Sequence, residues 1–142
     1  LPLILDSVGT MKTWKAADFF VPAGEQINAL AADEIVTEVQ VPTPAAGTKS
    51  TYLKFAFRKA IDFPLVSAAV VGGASPAVVL GGVHNSPKVA NVDAAIKGKP
   101  IDATTAAAAG DAAVSGAIAL AKNKYKIQIA KTLVKRGFLA IK

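Results

Sequence analysis

Lys54, Arg58 and Asp62 are the residues whose types and spacing most readily support chemistry in this sequence. Leu53, Phe55 and Phe57 alternate with Lys54 and Arg58, the period-two pattern of a half-buried strand. Alternation puts both cations on one face and the three large hydrophobes on the other. Lys59 to Asp62 reads as a charged corner, and Pro64 stops it from continuing as a helix. Two cations and a carboxylate at a sheet edge would give an anion or a cofactor a fixed set of polar groups. Two solvated basic residues and a turn aspartate bonded to its own backbone account for the same pattern. A second candidate is Gly81-Gly82-Val83-His84-Asn85-Ser86-Pro87, a turn between a strand and a helix start. Backbone N–H groups in such a turn can approach a ligand, but the spacing fits neither the dinucleotide fingerprint nor the P-loop. Asp33 and Glu34 are adjacent, so in a strand they point opposite ways and make a poor acid/base couple. Both are expected to face water.

Composition removes several classes of chemistry. The chain has 142 residues and no cysteine, so it carries no disulfide, thiolate metal site or iron–sulfur ligand set. His84 is its single histidine, which excludes a multi-histidine metal site and argues against a histidine-based triad. The formal net charge is +6, with a basic cluster from Lys122 to Lys142. Such a cluster attracts phosphate, yet no exposed aromatics are interleaved with it, and its lysines fit a solvated helix face. No nucleic-acid partner is expected. No apolar run reaches the ~20 residues of a membrane span, and Leu1 to Leu5 lacks a basic leader. The expected location is cytoplasmic. A start at Leu1 rather than Met reads as a piece of a longer protein or a processed one.

The positioning elements follow from local pattern. Leu1 to Ser7 reads as a short strand or a helix end, and Thr10 to Trp14 as a strand. Ala17 to Pro22 reads as a turn with a buried aromatic pair, Gly24 to Ala32 as a loop, and Glu34 to Val41 as a strand. Pro42, Pro44 and Gly47 make a linker. Leu65 to Val71 is an almost unbroken apolar run, as in a central strand, and Ala77 to Gly82 returns it as a hairpin. Residues 34–82 are thus expected to form one antiparallel sheet of about four strands. Ser86 and Pro87 suit a helix start, with Gly98 ending that helix after Lys97. Asp102 can cap an alanine-rich helix from Ala103 to Ala121, weakened by Gly110 and Gly116. A last amphipathic helix runs from about Asn123 to Ala140. Strands followed by helices predict an α+β fold: an antiparallel sheet of three to four strands with about three helices on one face.

In this order the pieces resemble the C-terminal part of the FAD-binding (medium) subunit of molybdenum hydroxylases, the family of carbon monoxide dehydrogenase and xanthine dehydrogenase. Asp18-Phe19-Phe20, Ala32-Asp33-Glu34-Ile35-Val36 and Val41-Pro42 resemble the family's DFF, DEI and V-P segment. Tyr52, Lys54, Arg58 and Asp62 resemble its Y-x-K-x-x-x-R-x-x-x-D stretch. Leu80-Gly81-Gly82-Val83 with Pro87 and Gly98 resembles its L-G-G-V segment. Asn123-Lys124-Tyr125-Lys126 and Leu133-Val134-Lys135-Arg136 resemble its closing helix. The resemblance implies that residues 1–32 are the tail of a preceding FAD-binding domain and 33–142 a flavoprotein C-terminal α+β domain. It implies FAD as cofactor, with the pyrophosphate-binding loops upstream of this chain. It implies an iron–sulfur subunit and a molybdenum-cofactor subunit as partners, and electron transfer between their clusters, FAD and an acceptor. The cofactor-binding residues it implies are Lys54, Arg58, Asp62, Phe63, Leu65, Gly82 and Val83; it assigns no catalytic or metal-binding residue. This chain alone is expected to be inactive. The alternative is a non-catalytic assembly module that binds protein partners only.

Overall fold

The computed structural model describes residues 2–7, 10–21, 23–59 and 61–142. Leu1, Pro22 and Ala60, which the sequence reading assigns to the first strand, an aromatic turn and the charged corner, lie outside the described residues. The chain divides into two compact units, Leu1–Ala45 and Ala46–Lys142.

The first unit holds strands β1 (Pro2–Ser7), β2 (Thr10–Lys15) and β3 (Ile35–Val39) and a one-turn helix α1 (Ala16–Phe19). Its antiparallel sheet has the order β2-β1-β3, with a register shift at Ile4/Leu5 where β1 meets β3. Phe19 is buried against Trp14, Ala16, Phe20 and Leu30, and its ring meets Phe20 edge-on at 5.3 Å. The expected aromatic pair is therefore present, with a helical turn where a plain turn was expected and Phe20 half-buried. All five β3 residues are exposed. β3 belongs to this sheet, so the single sheet expected over residues 34–82 does not form. Pairing with β1 gives β3 its hydrogen-bond partners, and the proline-rich linker after it carries the chain away.

The second unit is the expected α+β layer. Strands β4 (Ser50–Phe55), β5 (Val66–Val71), β6 (Ala77–Gly81) and β7 (Lys88–Ala90) form an antiparallel sheet in sequence order. Helices α2 (Asp93–Ile96), α3 (Ala103–Ala113) and α4 (Tyr125–Ala140) complete it. Val66, Ala68 and Val70 of β5 alternate onto the face that also carries Val78 and Leu80, and they share one core with Ala106, Ala109, Ala130, Val134 and Phe138. Small residues let the layers approach. A Cβ on Gly137 would lie 2.5 Å from Val70 Cγ2, and one on Gly110 would lie 2.6 Å from the Lys131 carbonyl oxygen.

Two helix expectations are cut short, the first by longer-range pairing and the second by a local turn. Ser86-Pro87 opens no helix: His84 Nδ1 accepts the Ser86 N–H at 3.2 Å, and Lys88–Ala90 pairs with Val78–Leu80 as β7. The free edge of β6 supplies partners that a capped helix start does not. The helix here shrinks to α2, and Gly98 follows it at φ +73°. Asp102 does cap α3, accepting the Thr104 and Thr105 N–H groups, both at 2.8 Å, in a capping box. The helix stops at Ala113, not Ala121: Gly116 takes φ +75°, and Asn123 Oδ1 accepts the Leu120 N–H at 2.7 Å, holding a turn in place of helix.

Candidate functional site

The corner between β4 and β5 is built around Asp62. β4 is an edge strand, and the chain leaves it after Phe55 and rejoins the sheet at Val66. The Leu65 N–H donates to the Phe55 carbonyl at 2.8 Å, closing the excursion at its base. The Arg58 N–H donates to Asp62 Oδ2 at 3.0 Å, and its guanidinium donates to Oδ1 at 3.2 Å. Lys54 Nζ, on the outer face of β4, donates to the Asp62 carbonyl at 2.9 Å. These bonds join the three residues singled out by spacing. The Asp62 side chain is only 15% exposed beside an Arg58 that is 74% exposed. The Arg58 side chain and N–H, with smaller help from the Phe63 N–H and the Lys54 charge, hold the Asp62 carboxyl below its ordinary range.

With its polar groups turned on Asp62, the corner presents apolar side chains to solvent. Phe57 is 85% exposed, Phe63 is 92% exposed and Ile61 is fully exposed. Phe57 was expected on the half-buried face of the strand. It lies beyond the end of β4, so strand alternation no longer governs it. Phe57 and Ile61 are members of this apolar knuckle that pattern reading missed. A signal was available: a strand pattern that runs into Lys59 and Pro64 leaves its last hydrophobe without a sheet to face.

The Gly81–Ser86 turn lies directly beside the corner. A Cβ on Gly82 (φ +75°) would sit 2.8 Å from the Leu65 carbonyl oxygen and 3.2 Å from that of Pro64. The two stretches are thus in backbone contact, which only glycine permits there. The Gly82 carbonyl accepts from Lys126 Nζ of α4 at 2.7 Å. Val83 is half-buried and packs on the core, on the helix side of the sheet. Lys126 is separated from Gly82 by 44 positions, so no local pattern marks it. Asp33 and Glu34 do not act together, but Glu34 departs from expectation. It is buried; its carboxylate accepts the Ala31 N–H at 2.8 Å and pairs with Lys12, and these contacts lower its pKa. Among the described residues no cluster of acidic or histidine side chains is arranged to hold a metal ion.

No protein-family model matches the chain. Half of it, 72 residues, is 39% identical to the nicotinate dehydrogenase FAD-subunit of Eubacterium barkeri. The carbon monoxide dehydrogenase of Hydrogenophaga pseudoflava, solved without the Mo-pyranopterin moiety of its cofactor, superposes on 99% of the chain with a TM-score of 0.83 at 26% identity. The chain is thus similar in sequence to part of one FAD-subunit and in fold to part of a carbon monoxide dehydrogenase chain. Quinoline 2-oxidoreductase from Pseudomonas putida 86 matches equally broadly, over 99% of the chain at a TM-score of 0.82 and 25% identity. The chain spans about half the length of these solved chains, 52% and 51%, and 23% of the nicotinate dehydrogenase subunit.

FAD, which the Eubacterium barkeri relative carries in its name, gives a shape against which the corner can be tested. The isoalloxazine is flat and apolar on its faces, with a polar rim that accepts hydrogen bonds. Phe57, Ile61 and Phe63 beside the uncommitted N–H groups of Arg58 suit that ring. The residues fit the ring end of the cofactor.

Proposed function

We propose that this chain is the wall-forming C-terminal part of a molybdenum hydroxylase flavin subunit, in which the 56–65 corner lies against the FAD ring. The carrying observation is the corner itself: exposed aromatic side chains held on a carboxylate clamp at a sheet edge. FAD, when bound, supplies the electron-accepting ring between the iron–sulfur partner subunit and the final acceptor. The chain's own part is to shield and orient that ring. Phe63 and Phe57 exclude water from it, Arg58 offers hydrogen-bond donors to its rim, and Asp62 fixes Arg58. Leu65 and Gly82 set the backbone on which the corner rests, with Lys54 and Val83 as its flanks.

Residues of the first unit belong, in this proposal, to the FAD-binding domain that precedes the second. The exposed Ile35, Val36 and Val39 of β3 support that reading, since a strand exposed at every residue lacks the cover a stable sheet needs. The molybdenum-cofactor subunit is the other proposed partner, and substrate choice lies there.

The test uses the intact flavin subunit with Arg58→Ala and Phe63→Ala. Both variants are expected to keep FAD bound while shifting its visible spectrum and its reduction potential. Spectra and potentials identical to wild type would overturn the flavin-wall reading. The second reading is an assembly module, favoured by the exposed Ile118 and Leu120 after α3. It predicts that Ile118→Ser with Leu120→Ser releases a partner subunit while the flavin signal stays unchanged.

A further inference from the structure

A cavity of about 380 Å³ lies on the helix side of the second unit, and none of Phe57, Ile61 and Phe63 lines it. It is bounded by the end of β6 and its turn, the segment 113–119 after α3, and the first turns of α4. Its apolar lining includes Leu80, Val83, Ile127 and Ala130, of which Leu80 and Ala130 are buried core residues. Its polar lining includes Lys88, Lys126, His84 and Asn123, and no carboxylate takes part.

The polar groups share one character: each has a donor to spare. Lys126 Nζ spends one of its three protons on the Gly82 carbonyl. Lys88 makes no hydrogen bond or ion pair through its side chain among the described residues. Asn123 Oδ1 is occupied by the Leu120 N–H, which leaves the amide NH2. His84 Nδ1 accepts the Ser86 N–H, which leaves the proton of the neutral ring on Nε2. Two cations without a facing acid, above an apolar lining, select a ligand with an anionic head and an apolar body. The size is near the lower end of small-molecule sites, which run from roughly 300 to 1,000 Å³. That suits a single ring and is too small for a dinucleotide.

We propose that this cavity is a binding site for a monocyclic aromatic carboxylate, with the carboxylate between Lys88 and Lys126 and the ring on Leu80, Val83 and Ile127. The site shares Val83 with the flank of the proposed flavin wall but uses neither Arg58 nor Phe63.

The test is a titration of the 142-residue chain with benzoate, followed by amide chemical shifts, with benzamide as the neutral control. Benzoate is expected to shift Val83, Ile127 and the amides of 115–119 saturably, and benzamide to bind at least about tenfold more weakly, the scale of one charge-assisted bond. Lys88→Glu, at an exposed position, should abolish benzoate binding while leaving the remaining amide pattern in place. Lys88→Arg should retain it. Equal shifts from benzoate and benzamide, an unaffected Lys88→Glu, or benzoate shifts confined to residues 56–65 would each overturn the proposal.

Discussion

Asp62 shows how one carboxylate converts a sequence pattern into a surface. Its side chain binds a backbone N–H and a guanidinium of the same residue, and its carbonyl binds Lys54. The folded carboxyl is more acidic than an unfolded one, so its stabilising contribution is complete above the ordinary aspartate range and is lost as pH falls through the lower folded value. The Arg58 amide resonance should therefore titrate with an apparent pKa below that of a free aspartate. A midpoint at the ordinary value would show that the clamp is absent in solution. Asp62→Asn should keep the fold of the sheet and loosen only residues 56–65, seen as faster amide exchange there. Gly82 is the complementary case, where the missing side chain matters. Gly82→Ala places a methyl group against the Leu65 carbonyl oxygen at a positive φ, and is expected to cost about 1–3 kcal/mol in chemical denaturation.

Among the elements, α4 and β5 determine the core. Gly137 lets α4 come within a methyl group of Val70, and Val134 and Phe138 fill the space on either side. Gly137→Ala gains helix propensity of up to about 1 kcal/mol but overpacks Val70 at about 1–3 kcal/mol. Net destabilisation is expected, and a Val70→Ala background should relieve it. If Gly137→Ala is as destabilising in that background as in wild type, the close approach is not what limits this interface. The apolar run of β5 and the amphipathic stripe of α4 were legible because each period is local. The helix expected from Ser86 was not, because a three-residue strand wins only when β6 is present to pair with it. The overlong α3 failed for a different reason: the stop is local, set by Gly116 at a positive φ and the Leu120–Asn123 turn, and alanine propensity masks it.

Across the chain, the two units are unequal. The second has a continuous core through four strands and three helices, whereas the first buries one aromatic residue, Phe19, as its described core. Backbone amides of β5 and β6 are expected to exchange at the global unfolding limit, and those of β2 and β3 orders of magnitude faster. Equal protection in native-state hydrogen exchange would refute that difference. Short-range signals were enough for the α+β class, the Asp102 cap, the last helix and the residues of the charged corner, since each rests on propensity, period or spacing within a few positions. Long-range contacts set the rest. They assigned β3 to another sheet, drew Lys88–Ala90 into β7, buried Glu34 on Lys12, and set Gly82 against Leu65. These outcomes depend on which distant backbone groups are free to pair and which surfaces are close enough to touch. Neither property is written in any short stretch of the chain.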